Sequence, residues 1–219
     1  MVFNGILKLM PSLSRTVNCQ QLTINSRSRG FTLIELLVVI TLFAITSSLI
    51  TASYLTFEKN QRIKNAAQTL KNDLRFVQNK ALAGDKGANS ECPITSTLVG
   101  WYLTFNTSQT STYTYTGACN TGGTESYFIP KTITYPSGVT LNNAAPNTGI
   151  KLGGTPQSGT VTVLFKPLTT GAVLYSNAGP PFSNLIDFTG DLVIELKGQQ
   201  TSTLSTVTVR STGEISGGQ

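Results

Sequence analysis

Phe31 to Ile50 reads FTLIELLVVITLFAITSSLI, twenty residues broken by one charge, Glu35. Wound as a helix at about 1.5 Å per residue, the stretch is roughly 30 Å long, the hydrocarbon thickness of a bilayer. Ahead of it lie thirty mostly polar residues with Lys8, Arg15, Arg27 and Arg29 and no acid. Behind it, nothing after Asn60 is long or apolar enough to cross again. The pattern predicts one membrane segment, set behind a basic leader and ahead of a large polar domain. A secretory signal would show a shorter apolar region, about 7–15 residues, and a small-residue cleavage site, for which Thr51-Ala52-Ser53 is the nearest candidate. A plain anchor helix is a second reading. A carboxylate within such a span is costly, however, and asks for a partner.

The junction itself suggests the partner. Arg29-Gly30-Phe31-Thr32-Leu33-Ile34-Glu35-Leu36-Leu37-Val38-Val39-Ile40 resembles the type IV prepilin signal of pilins and secretion pseudopilins. That resemblance implies a cut by prepilin peptidase between Gly30 and Phe31, followed by N-methylation of Phe31. It also implies that Glu35, the fifth residue after the cut, neutralises the amino terminus of a neighbouring subunit during assembly. The chemistry has an independent rationale. Cleavage creates an α-amine that is protonated near neutral pH. Where helices bury one another, an isolated amine or carboxylate is expensive, whereas a pair offsets much of that penalty and fixes register. Thr32-x-x-Glu35 also has the form of a capping box that serves its own helix start, and the two roles are compatible.

Charge and cysteine usage narrow the chemistry. The chain has 16 Lys+Arg against 10 Asp+Glu and no His. Without an imidazole there is no Ser-His-Asp or Cys-His nucleophilic site, no usual catalytic zinc site and no His-ligated haem. Three cysteines fall short of an all-cysteine zinc or iron–sulfur set. With no clustered Asp/Glu/Lys site either, the expectation is a protein that is not an enzyme and holds no cofactor or metal. Removing residues 1–30 leaves 12 basic and 10 acidic groups in 189 residues, a net of +2. The basic pI is thus largely a property of the leader, and its value as a nucleic-acid footprint falls accordingly. Cys19 belongs to the leader. Cys92 and Cys119 remain as a pair in Gly/Asn/Thr/Ser-rich surroundings typical of loops. A Cys92–Cys119 disulfide would contribute about 3.6 kcal/mol in the chain-entropy model; two free thiols are the other reading. Counting Arg15, Arg27 and Arg29 against Lys59, Arg62 and Lys64 leaves orientation tied. The resemblance and the cysteines place the C-terminal domain outside the bacterial inner membrane, which the chain would cross once.

Periodicity supplies the architecture. Ile63, Ala67, Leu70, Leu74, Val77 and Ala81 recur at steps of four and three, a helical stripe suited to docking on a sheet. No Pro or Gly occurs from Phe31 to Ala83, and Gly84 and Gly87 supply a stop. Beyond them Leu98–Phe105, Thr112–Thr116, Val161–Phe165, Leu192–Leu196 and Ser205–Arg210 alternate with a period of two. Asn142 to Ser158 is expected to be a long surface loop. The predicted fold class is α+β, pilin-like: a leader over 1–30, a long helix over 31–83 with 31–50 in the membrane or filament core, and a β-rich domain over 84–219. The second half of the helix should pack on an antiparallel sheet.

Two later motifs refine the resemblance. Gly100-Trp101 opening a strand, and the ending Val207-Thr208-Val209-Arg210-Ser211-Thr212-Gly213-Glu214-Ile215, are similar to those of the GspH/FimT group of minor pilins and pseudopilins. The implied partners are other pilin subunits, prepilin peptidase and the inner membrane; the implied destination is a type IV pilus or a periplasmic type II secretion pseudopilus. Some members of that group bind DNA through basic residues near the terminal Gly motif, which here offers Arg210. A DNA-binding or adhesive subunit is therefore the alternative, although Glu214 beside Gly213 would repel phosphate. Asp187 and Asp191 are too few for a calcium site. Tyr113, Tyr115 and Tyr127 are either an exposed aromatic platform or one face of a half-buried sheet.

Overall fold

The computed structural model describes residues 30–87, 92–143, 149–176, 179–182, 190–199 and 202–217. Two units make up the chain, residues 1–46 and 47–219. One helix, α1 (Leu33–Leu82), spans 50 residues. Phe31 and Thr32 precede it, and the Thr32 Oγ1 accepts the Glu35 N–H at 3.3 Å, so Thr32 is its N-cap. Leu82 is its last helical residue. Gly84 donates to the Ala81 carbonyl and Asp85 to the Lys80 carbonyl, both at 3.0 Å, with Gly84 at φ +64°. These bonds form a Schellman close that only a residue tolerant of left-handed backbone makes cheaply. Inside the apolar run, Thr41, Thr46 and Thr51 donate their hydroxyls to carbonyls three or four residues back, which hides polar groups from a lipid-like medium.

The second half of α1 is a core element. Ile63, Ala66, Ala67, Leu70, Leu74, Val77 and Ala81 are all buried. Its flanks grip the rest of the chain. Lys71 donates to the Gly217 carbonyl, Arg75 to that of Ile215, and Gln78 to those of Thr170 and Gly213.

Twelve strands follow among the described residues. They are β1 (Thr97–Asn106), β2 (Thr112–Thr121), β3 (Thr124–Tyr127), β4 (Lys131–Thr134), β5 (Val139–Leu141) and β6 (Ile150–Leu152). Then come β7 (Thr155–Pro156), β8 (Thr160–Phe165), β9 (Ala172–Ser176), β10 (Leu192–Gly198), β11 (Leu204–Val209) and β12 (Ile215–Gly217). One sheet runs β3-β2-β1-β8-β9 with β4 also on β2; the other runs β12-β11-β10-β6-β7 with β5 also on β10. Every pairing is antiparallel. The fold class is α+β, as the sequence predicts.

The α1 stripe and one face of each sheet share a single core, to which β1 contributes Trp101, Leu103 and Phe105 and β8 contributes Val161, Val163 and Phe165. The first sheet has a second apolar face, where Tyr102, Ala118, Leu164, Tyr175 and Phe182 pack together. The two faces together explain why β8 is a nearly continuous buried run.

Gly100 and Trp101 act as one device. The β1–β2 register shifts between Leu98 and Gly100, and a side chain on Gly100 would collide with the Phe165 carbonyl. The bare backbone lets β8 close over the bulge. Trp101 then donates its indole N–H to the Asp85 carbonyl at 2.6 Å, packs edge-on against Phe128, and sits under the Lys80 ammonium at 4.4 Å.

Three expectations need correction. The stretch from Asn142 to Ser158 is not one loop, because β6 and β7 occupy Ile150–Leu152 and Thr155–Pro156; residues 144–148 lie outside the described set. Three strand residues between Gly149 and Gly153-Gly154 are too few to show a period. Cys119 is not in a loop but in β2, where neighbouring Gly117 lets the Phe128 ring lie against the backbone. Arg210 is not a strand residue: β11 ends at Val209.

Candidate processing and assembly site

Gly30, Phe31 and Thr32 are non-helical, and the Gly30 Cα faces open space. Phe31 is 77% exposed. The Gly30–Phe31 peptide is therefore accessible and lies outside the helix, a form that a peptidase cleft can take up. The local cause is the N-cap: Thr32 satisfies the Glu35 N–H and halts helix propagation toward the leader.

Glu35 lies in the first turn of α1, where the positive end of the helix favours an anion. It is exposed and sits among exposed Leu33, Ile34, Leu36, Leu37 and Val38. The N-cap half of the predicted capping box is thus formed by Thr32. α1 is long and apolar enough to cross a membrane, and none of its most apolar window is buried within the chain. Four residues separate Phe31 from Glu35, so the acid and a newly cut amine sit about one turn apart on the same segment.

Cys92 and Cys119 form a disulfide with Cα atoms 5.8 Å apart, and both are buried. It ties the segment leading into β1 to the far end of β2. Arg210 follows β11, half exposed, with Nη1 2.6 Å from Glu214 Oε2 and Nε 3.7 Å from Asp191 Oδ2. Two carboxylates thus flank one guanidinium. Asp191 serves Arg210, and Asp187 lies outside the described residues. Among the described residues no cluster of three or more His, Cys, Asp or Glu could hold a metal. Tyr113 is buried and Tyr115 partly so, while Tyr127 is exposed on β3, so the three make no common platform.

Some polar groups were not singled out in the sequence. Glu195 is buried, bridged by Lys151 at 2.5 Å and by Asn142 at 3.0 Å. Burial pushes its carboxyl up, but those two donors outweigh burial and hold it below the usual range. Tyr113 donates to Asp73 at 2.5 Å, and burial, then this bond, raises the phenol far above its ordinary value. The signal for the second pair was an acid beside the buried helix stripe; pairing Lys151 with Glu195 required knowing that β6 neighbours β10.

Residues 25–51 match the family model of the prokaryotic N-terminal methylation motif. No curated protein and no solved structure matches the chain. The matched segment contains the exposed Gly30–Phe31 peptide, the Thr32 cap, Glu35 and the first turns of the unburied apolar helix. The N-terminal part of this chain is a prokaryotic N-terminal methylation motif, the mark of a type IV pilin-like substrate of prepilin peptidase.

Proposed function

We propose that this protein is a structural, non-catalytic subunit: a minor pilin or pseudopilin of the GspH/FimT type. In this reading the first part of α1 holds the chain in the bacterial inner membrane, with the β-rich domain over 84–219 outside. Prepilin peptidase cuts between Gly30 and Phe31, Phe31 is methylated, and the subunit then packs into a type IV pilus or a type II secretion pseudopilus. The observation that carries the reading is the unburied apolar helix with Glu35 in its first turn, directly behind an accessible cleavable junction. Before assembly an acid within lipid is penalised, by about 3 kcal/mol at the bilayer centre. A neighbouring subunit's cut amino terminus offsets that penalty and sets the axial register of packing. The Gly100-Trp101 bulge and the Gly213 turn, which give the GspH/FimT resemblance, both serve the core that joins α1 to the sheets. The DNA-binding alternative draws no support from Arg210, because the Glu214 and Asp191 carboxylates beside it outnumber its single charge and repel phosphate.

The test is the N-terminal sequence and mass of the protein from its native membrane. A chain beginning with N-methyl-phenylalanine at Phe31 is expected. An intact leader, or cleavage near Ser53, would overturn the assignment.

A further inference from the structure

The apolar surface of α1 does not stop at Ile50. Tyr54 and Phe57 are 64% and 59% exposed, and Leu55 is exposed with them. Aromatic side chains of this kind collect at the membrane–water boundary, where an amphipathic ring has both media at hand. The chain then changes abruptly: Glu58, Lys59 and Arg62 follow, and Ile63 is the first residue buried by the sheets. Along the helix, Lys59 and Arg62 lie about 3–8 Å beyond Phe57. One headgroup layer is about 5–8 Å thick.

At that height there is a cavity of about 160 Å³, lined by Lys59, Arg62, Ser137, Gly138, Gly198 and Gln199. Its wall opposite the helix is made of two turns pinned together, with the Gln199 N–H donating to the Gly138 carbonyl at 2.7 Å. Gly138 has no side chain to fill the space and sits at φ +84°. Beside the cavity Glu58 bridges Arg62 at 2.6 Å with both side chains well exposed. An exposed pair of this kind is weak, so the guanidinium is readily shared with a second anion.

Resting on the reading that α1 spans a membrane, we propose that this cavity seats the phosphate of an anionic phospholipid from the outer leaflet, between Lys59 and Arg62 and the two glycine turns. The exposed aromatic collar at Tyr54 and Phe57 sets the depth at which the cavity meets the headgroups. The seat holds the β-rich domain against the membrane surface before assembly, and the lipid is released when the helix leaves the bilayer.

The full chain, extracted from vesicles of phosphatidylglycerol and phosphatidylcholine in mild detergent, would be examined by native mass spectrometry. Retained phosphatidylglycerol should exceed phosphatidylcholine about tenfold, the scale expected of two near-surface cations. The double variant Lys59→Gln, Arg62→Gln should lose the preference. So should Ser137→Glu, which leaves both cations in place and adds a negative charge to the wall. Unchanged lipid preference in both variants would refute the seat. So would millimolar inorganic phosphate binding the wild-type chain as tightly as the lipid, since the site would then be a free-phosphate site. Alkaline carbonate extraction separates the two layers of the argument: wild type and variants should all stay in the membrane fraction. Release of the wild-type chain would refute the membrane reading itself.

Discussion

Among the described residues Glu35 has only its own helix for company, and that arrangement makes its role separable by experiment. Glu35→Ala should leave cleavage at Gly30 unchanged, because the N-cap comes from Thr32, yet should abolish entry into filaments. Immunoblots of sheared surface fractions beside total membranes would read both, and normal incorporation would remove the register role. Gly213 is a residue of another kind. It sits at φ +87°, its carbonyl accepts from Gln78, and a side chain there would run into the Thr170 carbonyl. Gly213→Ala should destabilise the protein by about 2–4 kcal/mol in urea titrations, through left-handed strain and collision together. At this scale the sequence was legible where a residue type has one use. The acid in an apolar run and the glycine before phenylalanine are such cases. Arg210 was not, because a basic side chain near a turn has many uses and only its two carboxylate neighbours decide among them.

The elements differ in how openly they declare themselves. The stripe of α1 could be read because the helical period repeats for five turns and every member faces the same core. Leu70→Ala and Leu74→Ala should each cost about 2–5 kcal/mol, since both are fully buried where helix and sheets meet. The strands β1, β8, β10 and β11 also showed their period. β6, β7 and β12 have two or three residues each and exist because longer neighbours supply their hydrogen-bond partners, so nothing local announces them. The sheet orders, with β8 beside β1 and β6 beside β10, depend on pairings across long separations that composition does not encode. The disulfide lies between these cases. Its partners were evident from the count of cysteines, whereas its place at the end of β2 was not. Replacing Cys92 and Cys119 together by Ser should lower unfolding free energy by about 3–4 kcal/mol, measured against the wild type under non-reducing conditions.

As a whole, the domain of residues 47–219 carries buried or bonded ionisable groups whose pH response can be stated with its sign. The hydrogen bond from Lys80, then that from the Gly87 N–H, holds the Asp85 carboxyl below its ordinary range, and Glu195 is held low by Lys151 and Asn142. Their folded pKa values lie beneath the unfolded ones. Their stabilisation is therefore complete above about pH 5 and is lost as the pH falls below about 4. On the alkaline side, burial raises the phenols of Tyr102, Tyr113 and Tyr135, while partial desolvation of its ring end, then its bond to Glu125, pushes the more exposed Tyr127 up to about 12. A raised phenol contributes fully below its unfolded value near 10 and loses that contribution as the pH climbs past it. Thermal melts across pH should show a broad plateau, a fall below about pH 4 and a second fall beginning near pH 10; a melting temperature flat through pH 11 would contradict the tyrosine assignment.

The burial of Ile63 through Ala81 has a mechanical consequence. A tug along α1 would load that whole row of side chains at once, in shear, against both sheets. Shear of that kind resists rupture better than peeling strands apart one by one. The part of the molecule that would feel the strain of a fibre being extended or withdrawn is thus its best-packed part, and a soluble fragment keeps this grip only if it is cut ahead of Ile63.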